Sequence, residues 1–330
     1  MKAIVWTRYG PPEVLQLQEV AKPTPKDGEV LVKIHATGVT AGDCEMRRMQ
    51  LPLGLSLPMR LYVGLLRPRR VTILGQELAG EITAVGHGVT NFALGDPVIA
   101  ATGFGFGAYA EYTCLPAGGD SGGGTAVLAP KPPNLSYTEA AALPVGGLEA
   151  LHFLRRADVR PGESLLINGA GGSIGTLALQ LAKHYGAEVT AVDSTAKLAM
   201  LRELGADHLV DYAQEDFSRR RQTYDIIFDV VGKSPFARSL QALRPGGRYL
   251  LGNPRVATLV RGWWATQTSD KKVISATSEP RRADLLLLAE LAQAGTIKPV
   301  IDRTYPLAQA AAAHRYVETG QKTGNVALIP

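Results

Sequence analysis

Between Leu165 and Lys183 the chain reads LLINGAGGSIGTLALQLAK: an apolar strand, a run of glycines and an apolar helix. Ala170, Gly172 and Gly175 form an A-x-G-x-x-G turn, with Gly169 and Gly171 beside it to supply the sharp bend. Such a turn does one job well. Gly172 lets the backbone approach phosphate, Gly175 lets the helix close onto the sheet, and the amides at Ala170, Gly171, Gly172, Ser173, Ile174 and Gly175 lie at the positive end of a helix dipole. The expected guest is the pyrophosphate of a dinucleotide. A second strand, AEVTAV, follows the helix and runs into Asp193, 18 residues beyond Gly175, where a carboxylate accepts hydrogen bonds from an adenosine ribose. Next come Ser194, Thr195 and Lys197, two hydroxyls and an ammonium suited to a ribose phosphate. Asp193 favours NADH and its three neighbours favour NADPH, so the residues leave both cofactors open.

The elements around this turn alternate. From Ser164 onward come SLLIN, IGTLALQLAKHYG, AEVTAV, TAKLAMLRELGA, DHLVDY, YDIIFDVVG, SPFARSLQALRPGG and RYLLGN, with near-continuous apolar strands. That pattern predicts an α/β fold with a doubly wound parallel sheet covered on both faces. Residues 1–135 read differently, as short Val/Ile/Thr-rich strands (MKAIVW, EVLVKIHATGV, ELAGEITAVG, DPVIAA, AYAEYTCLP) punctuated by Gly, Pro and Asp. Residues 117–125, AGGDSGGGT, read as a flexible loop. Ser136 and Glu139 form a capping box at a helix start. Beyond KKVISATS, a helix RADLLLLAELAQAG and a strand GNVALIP return to the style of the first part. The expected division is a β-rich domain, 1–144 with 279–330, around a Rossmann domain, 145–278.

Composition narrows the classes. A formal charge of +5 in 330 residues, with basic residues scattered rather than striped, gives no reason to expect a nucleic-acid partner. Cys44 and Cys114 are too few for a disulfide framework or a four-cysteine zinc site. The first residues lack a signal-peptide pattern, so a cytoplasmic location is expected. The most apolar stretch, LPLGLSLPMRLYVGLLRP (51–68), is interrupted by Arg60 and three prolines and is short for a bilayer. It reads as a substrate-pocket loop, and no membrane partner is expected.

The order of these parts, with GPPEVLQLQEVAKPTPKDGEVLVKIHATGV, LGQELAGEITAVG, FALGDPVIA, GAYAEY, AAALPV, LRELGADHLVDY and ETGQKTGNVALIP, resembles the medium-chain dehydrogenase/reductase superfamily over essentially the whole chain. Within it the chain is most similar to the zinc-free, quinone-oxidoreductase-like branch, which includes members called NAD(P)-dependent alcohol dehydrogenases and enoyl reductases. The resemblance implies a GroES-like first domain and a cleft between domains holding a nicotinamide. In zinc-dependent relatives a cysteine, the histidine of GHE and a second cysteine hold the metal. Here those positions are Thr40, Gln76 and Val145, which do not replace thiolates and imidazole. The relay positions carry Gly42 and Glu45 instead of a hydroxyl and a histidine.

Without a Lewis acid, oxidation of a simple alcohol is difficult. A quinone, or the β-carbon of an enone or enal, accepts hydride and leaves charge delocalised onto oxygen, where hydrogen bonds suffice. The resemblance therefore implies an NADPH- or NADH-dependent oxidoreductase acting on a small-molecule quinone or activated alkene. Its site residues would be Thr40, beside the nicotinamide; Asp43, an organiser; Tyr62, a proton donor or a pocket wall; and Gln76, offering its amide to a carbonyl. Leu251, Gly252 and Asn253 would hold the carboxamide. Rival readings are an alcohol dehydrogenase or carbonyl reductase, a nucleotide-binding sensor without turnover, and a membrane-associated protein acting through residues 51–70. By analogy a homodimer is expected through the Rossmann sheet edge, with RYLLGN and KKVISATS as edge-strand candidates. Trp263 and Trp264 would line the pocket or the pairing surface.

Overall fold

A computed structural model describes residues 1–51, 53–118, 125–254, 256–275 and 279–330, with backbone alone for Leu53, Gly54 and Leu55. The central part of the loop read at 117–125 and the last three residues of KKVISATS lie outside the described residues. The chain divides into two compact units, Met1–Leu148 with Glu279–Pro330, and Glu149–Ser278.

The second unit is built on a parallel sheet. In chain order its strands are Ser164–Asn168, Glu188–Asp193, His208–Asp211, Tyr224–Asp229, Leu243–Leu251 and Lys272–Ile274. Numbered one to six, they lie side by side as 3-2-1-4-5-6, and every pairing is parallel. This is the doubly wound dinucleotide fold, with its topological switch between strands 1 and 4. All five residues of Ser164–Asn168 are buried, as a strand covered on both faces requires. Leu166, Val192, Val210, Ile227 and Leu251 meet in one core cluster.

Strand order corrects one expectation. RYLLGN belongs to Leu243–Leu251, which is paired on both sides, with Tyr224–Asp229 and with Lys272–Ile274. It is an interior strand, and its buried Tyr249, Leu250 and Leu251 are what an interior position demands. Lys272–Ile274 stands at the edge.

The first unit carries an antiparallel-rich, GroES-like sheet. Among the described residues its strands run in the order Ile301–Pro306, Asn325–Ile329, Glu29–Gly38, Glu77–Val85, Pro97–Ala101 and Val127–Pro130, while Tyr112–Pro116 also pairs with Glu29–Gly38. The C-terminal strand Asn325–Ile329 pairs antiparallel with Glu29–Gly38, so the chain's end completes the sheet begun near its start. The Ser136–Glu139 capping box is formed, each residue's side chain accepting the other's backbone N–H, at the start of helix Tyr137–Ala141. The stretch expected as a pocket loop is instead a helix, Leu53–Val63, with Pro58 inside it. Its Met59 and Val63 are buried in the core cluster that also holds Trp6, Tyr109 and Val326, and that packing outweighs the helix-breaking proline. No described helix is long and apolar enough to cross a membrane.

A buried cation ties this unit's helices together. Arg47 in helix Ala41–Arg48 is fully buried; its Nε donates to Gly10 O at 3.1 Å and its guanidinium bonds the Glu318 carboxylate in helix Ala310–Glu318. Removing the anion strands a charge that water cannot reach. Glu318→Ala is expected to lower stability by about 3–5 kcal/mol, read as a fall in the denaturation midpoint. A change below about 0.5 kcal/mol would mean the pair is not stabilising.

Candidate active site and dinucleotide cradle

The glycine turn sits where strand 1 ends, and each glycine has its own reason. Gly169 has φ +88°, and a side chain there would lie 2.7 Å from Val231 in the loop after strand 4. At Gly175 an added Cβ would lie 2.3 Å from the Gly169 carbonyl oxygen and 2.6 Å from Ala170 Cα, so the helix rests directly on the turn. At Gly171 it would lie 2.5 Å from Lys197 Cδ and 2.9 Å from Asp193 Oδ2. Gly172 is different: its Cβ would meet only the Gly169 carbonyl oxygen, at 3.7 Å, an ordinary contact. The protein itself does not require glycine at 172. A bare backbone there leaves room for something outside the chain, at a helix N-terminus, Ser173–His184, whose first turn no side chain caps. That is the shape and polarity of a pyrophosphate cradle.

Asp193 ends strand 2 beside this turn. Its Oδ2 accepts from the Gly171 N–H at 2.8 Å, its Oδ1 accepts from the Ser194 N–H at 2.8 Å, and Lys197 Nζ is 3.2 Å from Oδ1. Both Asp193 and Lys197 are buried. The carboxylate therefore fastens the glycine turn to strand 2, and the lysine offsets its charge. Ser194 is the N-cap of helix Thr195–Glu203, and Thr195 donates its hydroxyl to Asp211 at the end of strand 3.

Leu251 ends strand 5, and Gly252 and Asn253 follow it. Gly252 N–H donates to Asp229 O at 2.9 Å, and Gly232 (φ +65°) packs so tightly that a Cβ would lie 2.2 Å from the Asn253 carbonyl oxygen. Sequence reading missed the hub of this corner. Asp229, buried at the end of strand 4, accepts from Asn168 Nδ2 at 2.9 Å, Gly232 N–H at 3.0 Å and Ser234 N–H at 3.2 Å. An acidic residue closing the apolar run YDIIFD was the available signal. The dinucleotide candidates thus converge on the carboxyl ends of strands 1, 2, 4 and 5.

The catalytic candidates lie in the first unit. Thr40 is the N-cap of helix Ala41–Arg48 and forms a capping box with Asp43: its Oγ accepts from the Asp43 N–H at 3.0 Å, and Asp43 Oδ2 accepts from the Thr40 N–H at 3.0 Å and hydroxyl at 2.7 Å. Asp43 Oδ1 accepts from the Gly75 N–H at 3.2 Å. Burial pushes the Asp43 carboxyl up to about 6, against the pull of the Thr40 and Gly75 bonds. Gln76 Oε1 lies 3.2 Å from Thr40 Oγ. A Cβ on Gly42 would lie 2.9 Å from that same Gln76 oxygen, so the amide occupies the volume a relay side chain at 42 would fill. Thr40, Asp43, Gln76 and the Gly75 backbone therefore form one cluster.

Tyr62 is not placed in it by any hydrogen bond. Its hydroxyl donates to Phe104 O at 3.3 Å, its ring packs near Phe104, and Arg70 lies over the ring at 4.4 Å. Those contacts hold its ring apart from the cluster. Behind Asp43, Tyr109 OH is 3.1 Å from His314 Nε2 and Cys44 Sγ is 3.3 Å from His314 Nδ1, all buried. Burial drives the His314 imidazole down to about 3, so it is neutral, and burial raises the Cys44 thiol.

Glu77, the neighbour of Gln76, was also missed. It is buried, and its Oε2 accepts from the Val145 N–H at 2.9 Å, in the first turn of helix Pro144–Ala157. A Cβ at Gly38 would lie 2.0 Å from Glu77 Oε1. Burial lifts this carboxyl to about 8. The residues at the metal-ligand positions do not suit zinc. Thr40 shares its hydroxyl with Asp43, Val145 has no donor atom, and no group of three His, Cys, Asp or Glu among the described residues is placed to hold a metal ion.

Comparison with known proteins bears on the family to which these units belong. The alcohol dehydrogenase GroES-like domain family matches residues 26–119, and the zinc-binding dehydrogenase family matches residues 204–328. The chain is 33% identical to a 2-methylene-furan-3-one reductase of Solanum lycopersicum, across 100% of this chain and 79% of that protein. It is 32% identical to a chloroplastic NADPH-dependent alkenal/one oxidoreductase of Arabidopsis thaliana, across 100% and 80%. The chain belongs to the medium-chain dehydrogenase/reductase superfamily, in its quinone oxidoreductase-like branch. The solved structure of the quinone oxidoreductase from Coxiella burnetii superposes with a TM-score of 0.86 at 29% identity, covering 100% of this chain and 99% of that one. The protein is thus an oxidoreductase of an NAD(P)-dependent family.

Two expected outcomes separate packing from binding. Gly172→Ala is expected to keep the unfolding midpoint within about 2 °C while weakening NADPH or NADH binding at least about tenfold by fluorescence titration. Gly175→Ala is expected to destabilise the fold by about 1–3 kcal/mol, because a backbone carbonyl cannot move aside. Equal effects at the two positions would remove the cradle assignment.

Protonation supplies another. Glu77 holds its proton more tightly folded than unfolded, so its contribution is complete below about pH 4 and is lost as pH rises through about 8. The midpoint of Glu77→Gln minus that of the wild type is expected to grow more positive between pH 6 and pH 9. A flat difference would mean that Glu77 is ionised throughout that range.

Proposed function

We propose that the protein reduces quinones and activated alkenes, enones or enals, with NADPH or NADH and without a metal ion. The observation that carries this reading is the amide of Gln76, packed over Gly42 and hydrogen-bonded to Thr40 at a position where zinc-dependent relatives carry a ligand. When bound, the dinucleotide supplies hydride to the quinone or to the alkene β-carbon. The second unit's glycine turn and Asp193 corner hold the pyrophosphate and adenosine, and Leu251–Asn253 hold the carboxamide. What remains is an oxygen gaining negative charge. The Gln76 NH2 group donates to that oxygen, the Thr40 hydroxyl shares its one proton between Asp43 and the Gln76 amide oxygen, and the capping box holds Thr40 in place. Water then delivers the proton. The names of the alkenal/one and furanone reductases, and of the Coxiella burnetii structure, support this acceptor class.

A homodimer acting in the cytoplasm completes the reading. Strand Lys272–Ile274 has one neighbour in the sheet, and pairing with its copy would satisfy the outer edge. Light scattering at micromolar concentration is expected to give twice the monomer mass; a monomer at all concentrations would overturn this part.

The acceptor class is tested with a panel of quinones, enones, enals and short alcohols, each with and without a chelator. Chelator-insensitive reduction of quinones or enones is expected, with alcohols inert. Gln76→Leu is expected to lower kcat/KM about 100-fold with the dinucleotide Kd unchanged. Chelator-sensitive alcohol turnover, or full activity in Gln76→Leu, would overturn the proposal.

A further inference from the structure

Helix Val256–Thr268 in the second unit is amphipathic in the wrong direction. Val256, Leu259, Val260, Trp263 and Trp264 follow the i, i+3, i+4, i+7, i+8 spacing of one helix face. That spacing normally marks the buried side. Here the five residues are 45, 38, 63, 64 and 63% exposed. The helix is seated instead through its small side: Gly262 is buried, a Cβ on it would lie 2.7 Å from Val273 Cγ1, and Thr266 Oγ accepts from the Val273 N–H at 3.0 Å.

Beside the stripe runs a groove of about 720 Å³ with an apolar floor of Phe236, Leu240 and Leu243. Arg221 and Arg261 line it, and neither has an ion-pair partner among the described residues. Lys271 also lines it, bonded to Arg244 O at 2.8 Å and lying 3.2 Å from Asp270. Asp270, the groove's one carboxylate, already accepts from the Gly246 N–H at 2.8 Å.

We propose that this face docks on a lipid bilayer bearing anionic headgroups, with the helix lying in the interface plane. Two tryptophans beside an aliphatic stripe suit the depth of the headgroups. Unpaired guanidiniums suit phosphates. The charge pattern selects this occupant over a second copy, because the same face set against itself brings together Arg221, Arg261 and Lys271 of both copies, while the groove's one carboxylate, Asp270, is already engaged. The extent of the stripe selects it over a soluble amphiphile, because Val256 and Leu259 lie outside the groove and would stay wet. A 13-residue helix is too short to span, so the attachment is peripheral. This departs from the expectation of no membrane partner, and it does not depend on the acceptor assignment.

The full chain carries its own probe. Of its three tryptophans Trp6 is fully buried, so changes in emission report Trp263 and Trp264. With vesicles of phosphatidylcholine containing about one-third phosphatidylglycerol, co-flotation and a shift of emission to shorter wavelength are expected, both weakening as salt rises. Trp263→Ser with Trp264→Ser is expected to lower vesicle affinity at least about tenfold. Arg221→Glu with Arg261→Glu is expected to remove the preference for anionic over pure phosphatidylcholine vesicles while NADPH binding stays intact, showing that the fold is kept. The proposal is overturned if neither vesicle co-floats the protein or if both variants bind as the wild type does. It is equally overturned if the shift occurs without vesicles as the mass doubles, or if dodecyl phosphate saturates it while flotation is absent.

Discussion

A carboxyl group taken out of water needs hydrogen-bond partners in either protonation state, and this protein supplies them with backbone amides at turns and helix starts. Asp43 takes the amides of Thr40 and Gly75. Glu77 takes that of Val145, Asp193 those of Gly171 and Ser194, and Asp229 those of Gly232 and Ser234. In every case the donors belong to a turn or a helix start rather than to a ladder. These side chains thereby fix loops that packing alone would leave loose, and those loops carry the candidate site residues.

The two units use this device for different ends. In the second, Asp193 and Asp229 stand on either side of strand 1 and hold the turns that close strands 2 and 4. Of the glycines at the turn after strand 1, Gly169, Gly171, Gly172 and Gly175, only Gly172 has no close neighbour inside the chain to crowd an added Cβ. In the first unit, Asp43 governs Thr40 and Thr40 governs Gln76. Orientation is passed along three side chains to the Gln76 amide, whose NH2 has no protein acceptor among the described residues.

Periodicity and punctuation made the second unit legible. Continuous apolar strands separated by glycine-ended helices admit few topologies, and SLLIN followed by GAGGSIG placed strand 1 and its turn to the residue. The Ser136–Glu139 box was readable for the same reason, since a cap is a local pattern. What escaped depended on contacts between distant segments. Glu77 reads as one more polar residue at a strand start until Val145, 68 positions later, brings its helix N-terminus to it. Asp229 gains its role from Asn168, 61 positions earlier. Residues 53–63 carried a proline and looked like a loop; the helix exists because Met59 and Val63 reach a core assembled from both ends of the chain. RYLLGN and KKVISATS both looked like edges, and only the pairing of Leu243–Leu251 on both sides decides which of the two lies outside.

The space shared by Gly42 and Gln76 bears on how such a site can change over time. A Cβ at 42 would lie 2.9 Å from Gln76 Oε1, so a larger residue there fits only if the flexible end of the glutamine swings aside. A change at either position therefore moves the other's side chain, and their effects in a double-mutant cycle would not add. An exchange at 42 is felt first in the direction the Gln76 amide faces.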